Sequence, residues 1–188
     1  MPKQRKLTGD AVLSAAADLV EEQGYYSLNI SSLANALGVK PPSLYNHVSG
    51  IEDVWEQLAL ILLSRMETAV RNAALGRSEE AAVREIAHAY RRFANEHGEL
   101  YRAFTNAVSI DGGSALGSLA DTLRQVLQPL GLPRKNETDF IRIFHAGLHG
   151  FVTLERAGFF KNTGSTVNAS FNALVDSQIL ILQNYRGK

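Results

Sequence analysis

The chain has 188 residues, with 19 Lys+Arg against 19 Asp+Glu, five His and no Cys; 45% of positions are apolar and 8% aromatic. That is enough apolar material for a buried core in one or two compact units, while the lack of cysteine excludes disulfides, thiolate metal sites and Cys nucleophiles and points to an intracellular, cytoplasmic setting. The longest apolar run, Leu58 to Leu63, falls far short of the roughly 18–20 residues that span a bilayer, so no membrane partner is expected.

Lys3, Arg5 and Lys6 open the chain with no apolar block behind them, the pattern of a basic arm rather than an export signal. Thr8 is a predicted N-cap for a helix over 9–23 that places Val12, Ala16, Leu19 and Val20 on one face and stops at Gly24, where a left-handed residue fits. A second short helix is predicted from about Ile30 to Leu37, stopped by Gly38. Pro41 and Pro42 are tolerated only in a first helical turn, which predicts a third helix over about 41–47. Glu52 and Asp53 open a long helix of about 22 residues that ends before Gly76. A further helix starts at Ser78-Glu79-Glu80 and carries Val83, Ile86, Ala87, Tyr90 and Phe93 at helical spacing. A short one holds Leu100, Tyr101 and Phe104, Asp111–Ser114 reads as a loop, and another helix covers about 118–127. Asn136-Glu137 caps a helix to about Ala157, and Thr166 to Tyr185 makes the last, with Val167, Phe171, Leu174, Ile181 and Tyr185 inward. No alternating strand pattern emerges, so the fold class is all-α: a three-helix head over 1–50 and a helical-bundle body over 51–188.

The zero net charge hides an uneven distribution. No carboxylate occurs from residue 23 to residue 51, where the overall acid content would place about three. Within that stretch two short helices joined at Gly38 have helix-turn-helix spacing, with Leu33, Ala34, Leu37, Val39 and Leu44 as packing residues. Lys40, Ser43, Tyr45 and His47 remain outside and carry donors without negative charge, as a surface facing phosphates requires.

The run from Leu28 to Val48, with its Ala34-x-x-x-Gly38-Val39 and Leu44-Tyr45-x-His47 elements, resembles the DNA-binding segment of TetR-family transcriptional regulators. The resemblance covers about residues 8–55, and the helical remainder has the length and order of that family's ligand-binding and dimerisation body. Leu148-His149-Gly150 is similar to the signature of its Trp-His-Gly subgroup, with Leu in place of Trp. The resemblance implies that Ser31 reads bases from the first motif helix, that Pro41, Pro42 and Ser43 lie against bases or their methyl groups, and that Tyr45 and His47 contact phosphates. Where many members place a phosphate-binding Lys at the start of the long helix, this chain has Ile51; backbone N–H groups there, or the arm residues Lys3, Arg5 and Lys6, would substitute.

All eight phenylalanines follow residue 92, which makes an aromatic, ligand-holding interior credible in the body. Tyr90, Phe93, Tyr101, Phe104, Phe144, His145 and His149 are the candidate ligand contacts. His145 and His149 stand four apart on one helix face, within a polar stripe of Arg142, Thr153 and Arg156 where a cation is disfavoured, so neither a metal nor another cofactor is expected. No nucleophile elbow, phosphate-binding glycine loop or zinc-protease helix occurs, and no enzymatic function is assigned. The sequence reading is a ligand-responsive repressor that binds a palindromic double-stranded DNA operator, with an unidentified small-molecule effector. It dimerises through its last two helices, whose apolar faces include Ala146, Gly147, Gly150 and Phe171. The alternative is a helical ligand sensor or interaction module that does not bind DNA.

Overall fold

Thr8 begins the ordered helical pattern by accepting a hydrogen bond from the Ala11 N–H at 3.2 Å. The structure, a computed structural model, describes residues 7–106, 115–160 and 164–186, with side chains described over 7–102, 120–160 and 164–186. The arm residues Lys3, Arg5 and Lys6, the expected loop at 111–114 and the Phe104 side chain lie outside the described residues. Among the described residues there are helices and no strands: α1 Gly9–Gln23, α2 Ile30–Leu37, α3 Ile51–Ala74, α4 Glu79–Glu96, α5 Gly98–Asn106, α6 Ala115–Leu127, α7 Arg134–Arg156 and α8 Val167–Arg186. Short 3-10 segments occupy Tyr25–Ser27, Pro41–Asn46 and Gln128–Leu130.

The chain forms two compact units. The first holds the described residues up to Ser64 together with 97–106; the second holds 65–96 and the described residues from 115 onward, so that α3 is shared between them. In the first unit α1 buries Val12, Ala16, Leu19 and Val20, the face its periodicity predicts. Gly24 ends the helix with φ 89 but an extended ψ of 163, a conformation that a Cβ would strain; the chain leaves α1 outward rather than through the expected left-handed turn. Asn29 and Ser32 cap α2 reciprocally, Asn29 Oδ1 accepting the Ser32 N–H at 2.9 Å and Ser32 Oγ accepting the Asn29 N–H at 3.0 Å. Gly38 closes α2 in the left-handed region, φ 65 and ψ 29.

In the second unit α4 buries Val83, Ile86, Ala87, Tyr90 and Phe93, as the sequence spacing predicts. α7 starts at Arg134 rather than at Asn136, because Pro133 supplies the turn and no side-chain cap is used. The inner face of α8 is only partly the expected one: Phe171 is buried as predicted, but Val175, Gln178, Ile179 and Leu182 are buried with it, whereas Val167, Leu174, Ile181 and Tyr185 are half-buried. The helix carries Leu, Ile and Val on two faces, and the polar Gln178 disguised the inner one. α4 and α8 run antiparallel, fastened by Arg84–Asp176 at 2.7 Å and Arg186–Glu79 at 3.3 Å. Arg91 joins α4 to α7 through two hydrogen bonds to Glu155, at 2.9 and 2.5 Å.

Candidate functional site

The segment after Gly38 is the site the sequence singles out, and its local geometry follows from its prolines. Pro41 and Pro42 have no N–H, so the first donor inside the segment is Ser43, whose N–H reaches back three residues to the Lys40 carbonyl at 2.9 Å. The same tight pattern closes at His47, whose N–H bonds the Leu44 carbonyl at 2.8 Å. Pro41–Asn46 is therefore a six-residue 3-10 segment, where the sequence predicts an α-helix over about 41–47. Leu44 is its fully buried anchor, seated in the core that contains Leu33, Ala34 and Val48; Leu37 and Val39, also expected to pack, are half-buried.

With Leu44 fixed inward, the neighbouring side chains are held outward. Lys40, Pro41 and Pro42 are exposed, Tyr45 is 57% exposed, and Ser43 and His47 are half-buried. Ser31 is exposed on the first turn of α2. The acid nearest in sequence after the segment, Glu52, is followed by Asp53, which is occupied locally: its carboxylate accepts the Ser49 N–H and the Gln57 amide, each at 2.7 Å. The backbone bond from Ser49 first, then the Gln57 bond, holds the Asp53 carboxyl below the usual carboxylate range. Ile51, where a lysine was expected from the family pattern, is half-buried at the start of α3.

Three contacts around α1 escaped the sequence reading. Tyr25 stacks on Trp55 with ring centres 4.7 Å apart, its N–H donates to Glu99 at 2.9 Å, and His97 Nδ1 lies 3.1 Å from Glu21 Oε1. The Tyr25-Tyr26 pair after Gly24 was the available signal, since two aromatic residues at a helix stop need partners. Tyr26 is 82% exposed, with the Arg102 guanidinium 5.7 Å from its ring centre.

The candidate ligand contacts separate. Tyr90, Phe93 and Phe144 are buried in the second unit, and the ring of His145 stands edge-on to Tyr90 at 6.1 Å and 6.0 Å from His149. Burial, then the neighbouring His149, lowers the His145 pKa; burial alone lowers that of His149, so both imidazoles are mainly neutral at pH 7. Tyr101 is instead a buried core ring of the first unit. Among the described residues no three metal-binding side chains come together. On α7, Ile143, Ala146 and Leu154 are exposed and Gly147 and Gly150 half-buried, while Leu180 is exposed on α8. Phe171, predicted inward and also counted with the dimerising faces, is fully buried and so cannot serve the latter: it packs edge-on against Phe151 at 5.2 Å and His88 at 5.4 Å, with the Arg91 guanidinium 4.6 Å from its ring.

Residues 12–58 match the family model described as bacterial regulatory proteins, tetR family, and residues 83–178 match the tetracyclin repressor-like C-terminal domain. An uncharacterised HTH-type transcriptional regulator of Mycobacterium tuberculosis is 33% identical over 158 residues, 81% of this chain and 72% of that protein. The chain belongs to the TetR family. It is thus a transcriptional regulator in kind, not a member of an enzyme family. Over a shorter stretch, 46% of this chain and 39% of the relative, it is 33% identical to the class D tetracycline repressor of Escherichia coli. The TetR fold extends to solved structures of low identity. TetR from Acinetobacter baumannii AYE aligns over 96% of this chain and 99% of its own at 23% identity with a TM-score of 0.75. A variant of that protein solved with minocycline aligns over the same shares at 24% identity, also with a TM-score of 0.75. The match to the TetR head runs past the 3-10 segment into α3, so it includes every DNA-facing candidate from Ser31 to His47.

Proposed function

We propose that this protein is a ligand-responsive repressor that binds a palindromic operator as a homodimer in the cytoplasm, with residues 1–50 as the DNA-binding head and 51–188 as the ligand-binding and dimerisation body. The observation that carries the reading is the carboxylate-free stretch from 23 to 51, in which Leu33, Ala34 and Leu44 are fully buried while Lys40, Pro41, Pro42 and Tyr45 face outward. Ser31 reads a base edge, Pro41, Pro42 and Ser43 lie against bases and thymine methyls, and Lys40, Tyr45 and His47 bind phosphates. Lys3, Arg5 and Lys6 add phosphate or minor-groove contacts.

One six-residue segment touches too few base pairs for specificity, which a two-fold dimer supplies by reading two half-sites. The exposed stripe Ile143, Ala146 and Leu154 on α7, with Leu180 on α8, supports self-association through these two helices as a four-helix contact. The effector is a small molecule contacted by Tyr90, Phe93, Phe144, His145 and His149, neutral imidazoles being able both to donate and to accept hydrogen bonds. The minocycline complex of a protein of the same fold supports a body that takes such ligands. Effector binding shifts operator affinity through α3, the helix shared by both units, by roughly 5- to 150-fold for a coupling of about 1–3 kcal/mol.

The test is to incubate purified protein with sheared DNA from its own genome and sequence what it retains. Enrichment of fragments sharing an inverted repeat is the expected result. Retention without a shared motif would favour the alternative of a sensor that does not read DNA, which the zero net charge and Ile51 would then explain.

A further inference from the structure

The first turns of α4 and the C-terminal half of α8 are held together by paired polar groups: Arg186 with Glu79 at 3.3 Å, Gln183 with Glu80 at 3.1 Å, and Arg84 with Asp176 at 2.7 Å. Continuing that antiparallel register sets the last turns of α4 opposite the start of α8. There the pairing stops, because α8 has no acid in its first turn. The two helices instead leave an open cleft of about 470 Å³ lined by His88, Arg91, Arg92, Asn95, Glu96 and Asn168. Five of these come from one stripe of α4 at helical spacing.

The cations in the cleft differ in their commitments. Arg91 is bound twice by Glu155 and lies over Phe171, so its charge is already matched. Arg92 is exposed, and no ion pair holds it among the described residues. Asn95, whose amide nitrogen spends one N–H on Glu155 at 3.5 Å and keeps the other, and Asn168 bring side-chain amides to the same cleft, and the first-turn N–H groups of α8 add positive potential beside Asn168. Glu96 stands one turn beyond Arg92 and opposes a second negative charge, which favours a monoanion over a phosphate dianion. The imidazole of His88, edge-on to Phe171, offers an apolar wall.

We propose that this cleft is a binding site for a small aromatic carboxylate. Arg92 takes the carboxylate in a bidentate pair, Asn95 and Asn168 hydrogen-bond its oxygens, and the ring lies along His88 and the Arg91 and Arg92 stems. The site uses none of the side chains proposed above as effector contacts.

Isothermal titration of the full chain with sodium benzoate, and separately with benzamide and inorganic phosphate, tests this without DNA, so its outcome is independent of the operator reading. Benzoate is expected to bind saturably at one per chain, more tightly than either other probe. Arg92→Gln should weaken it at least about tenfold, as loss of a charge-assisted pair does, whereas Arg84→Gln, removing a cation already paired with Asp176, should change it less than about twofold. Thermal unfolding of both variants verifies that they are folded. Absence of saturable benzoate binding, equal affinity of Arg92→Gln, or benzamide or phosphate binding as tightly as benzoate would each overturn the assignment.

Discussion

Glu99 accepts a hydrogen bond from the backbone N–H of Tyr25 at 2.9 Å across 74 residues of sequence, tying α5 to the turn that leaves α1. Gly24, just before it, has a positive φ, and this contact helps hold the chain in that conformation. Glu99→Ala should destabilise the first unit by about 1 kcal/mol, the usual net worth of such a bond at a partly exposed position, and Glu99→Gln by less. Urea unfolding reads the stability, and faster hydrogen exchange at the Tyr25 amide reads the cause.

Tyr45 and Ser43 flank the buried Leu44 and separate two kinds of DNA contact. Tyr45→Ala should weaken binding to operator and to scrambled duplex alike, by about five- to tenfold for one lost phosphate hydrogen bond. Ser43→Ala should change base preference at one position of each half-site and leave scrambled-duplex affinity alone. Fluorescence anisotropy on matched and scrambled sites distinguishes them; two variants that bind like the parent would refute both roles.

Acid should destabilise the second unit in two stages. Burial lowers the His145 and His149 pKa values, so the unfolded chain takes up protons more readily; their contribution is full above about pH 6.5 and is lost as pH falls below it. The hydrogen bonds from Arg91 hold Glu155 below its ordinary value, so that its contribution persists above about pH 4.5 and fades as the pH falls through its lowered folded value. His145→Phe should reduce the first stage and leave the His149 part, and Arg91→Met should diminish the second. Urea midpoints measured from about pH 8 down to about pH 2 check both.

Much of this fold is legible in the residues themselves, because Gly24, Gly38 and the proline pair punctuate the chain and the periodicity of α1 and α4 admits only one buried face. α8 is ambiguous where that condition fails: Leu174 and Ile181 on one side compete with Val175, Ile179 and Leu182 on the other, and only packing decides. Phe171, predicted inward, is buried as its spacing implies. At the candidate site, the identity of the outward residues could be read once Leu44 was taken as the anchor. The 3-10 geometry could not, since two prolines at a helix start are equally compatible with α. Glu99 and Arg92 act through partners distant in sequence or on another helix, and no local pattern announces them.

Leu154 and Gly150 lie on the outer side of α7, exposed and half-buried. Leu154→Asp and Gly150→Arg should leave helicity and thermal unfolding of the chain nearly intact but convert the proposed dimer to monomer. Sedimentation velocity reads the mass, and operator affinity should fall with it by about 100-fold or more, since each head then binds alone.

Operator recognition as proposed requires two copies of the Pro41–Asn46 segment to read DNA from a fixed separation. Its most direct test is titration of a selected operator against the same operator with five base pairs inserted between its half-sites, about half a helical turn. Affinity should fall at least about 100-fold although every contacted base is retained, because the second head is turned to the opposite side of the duplex. Equal affinity for the two duplexes would contradict the account.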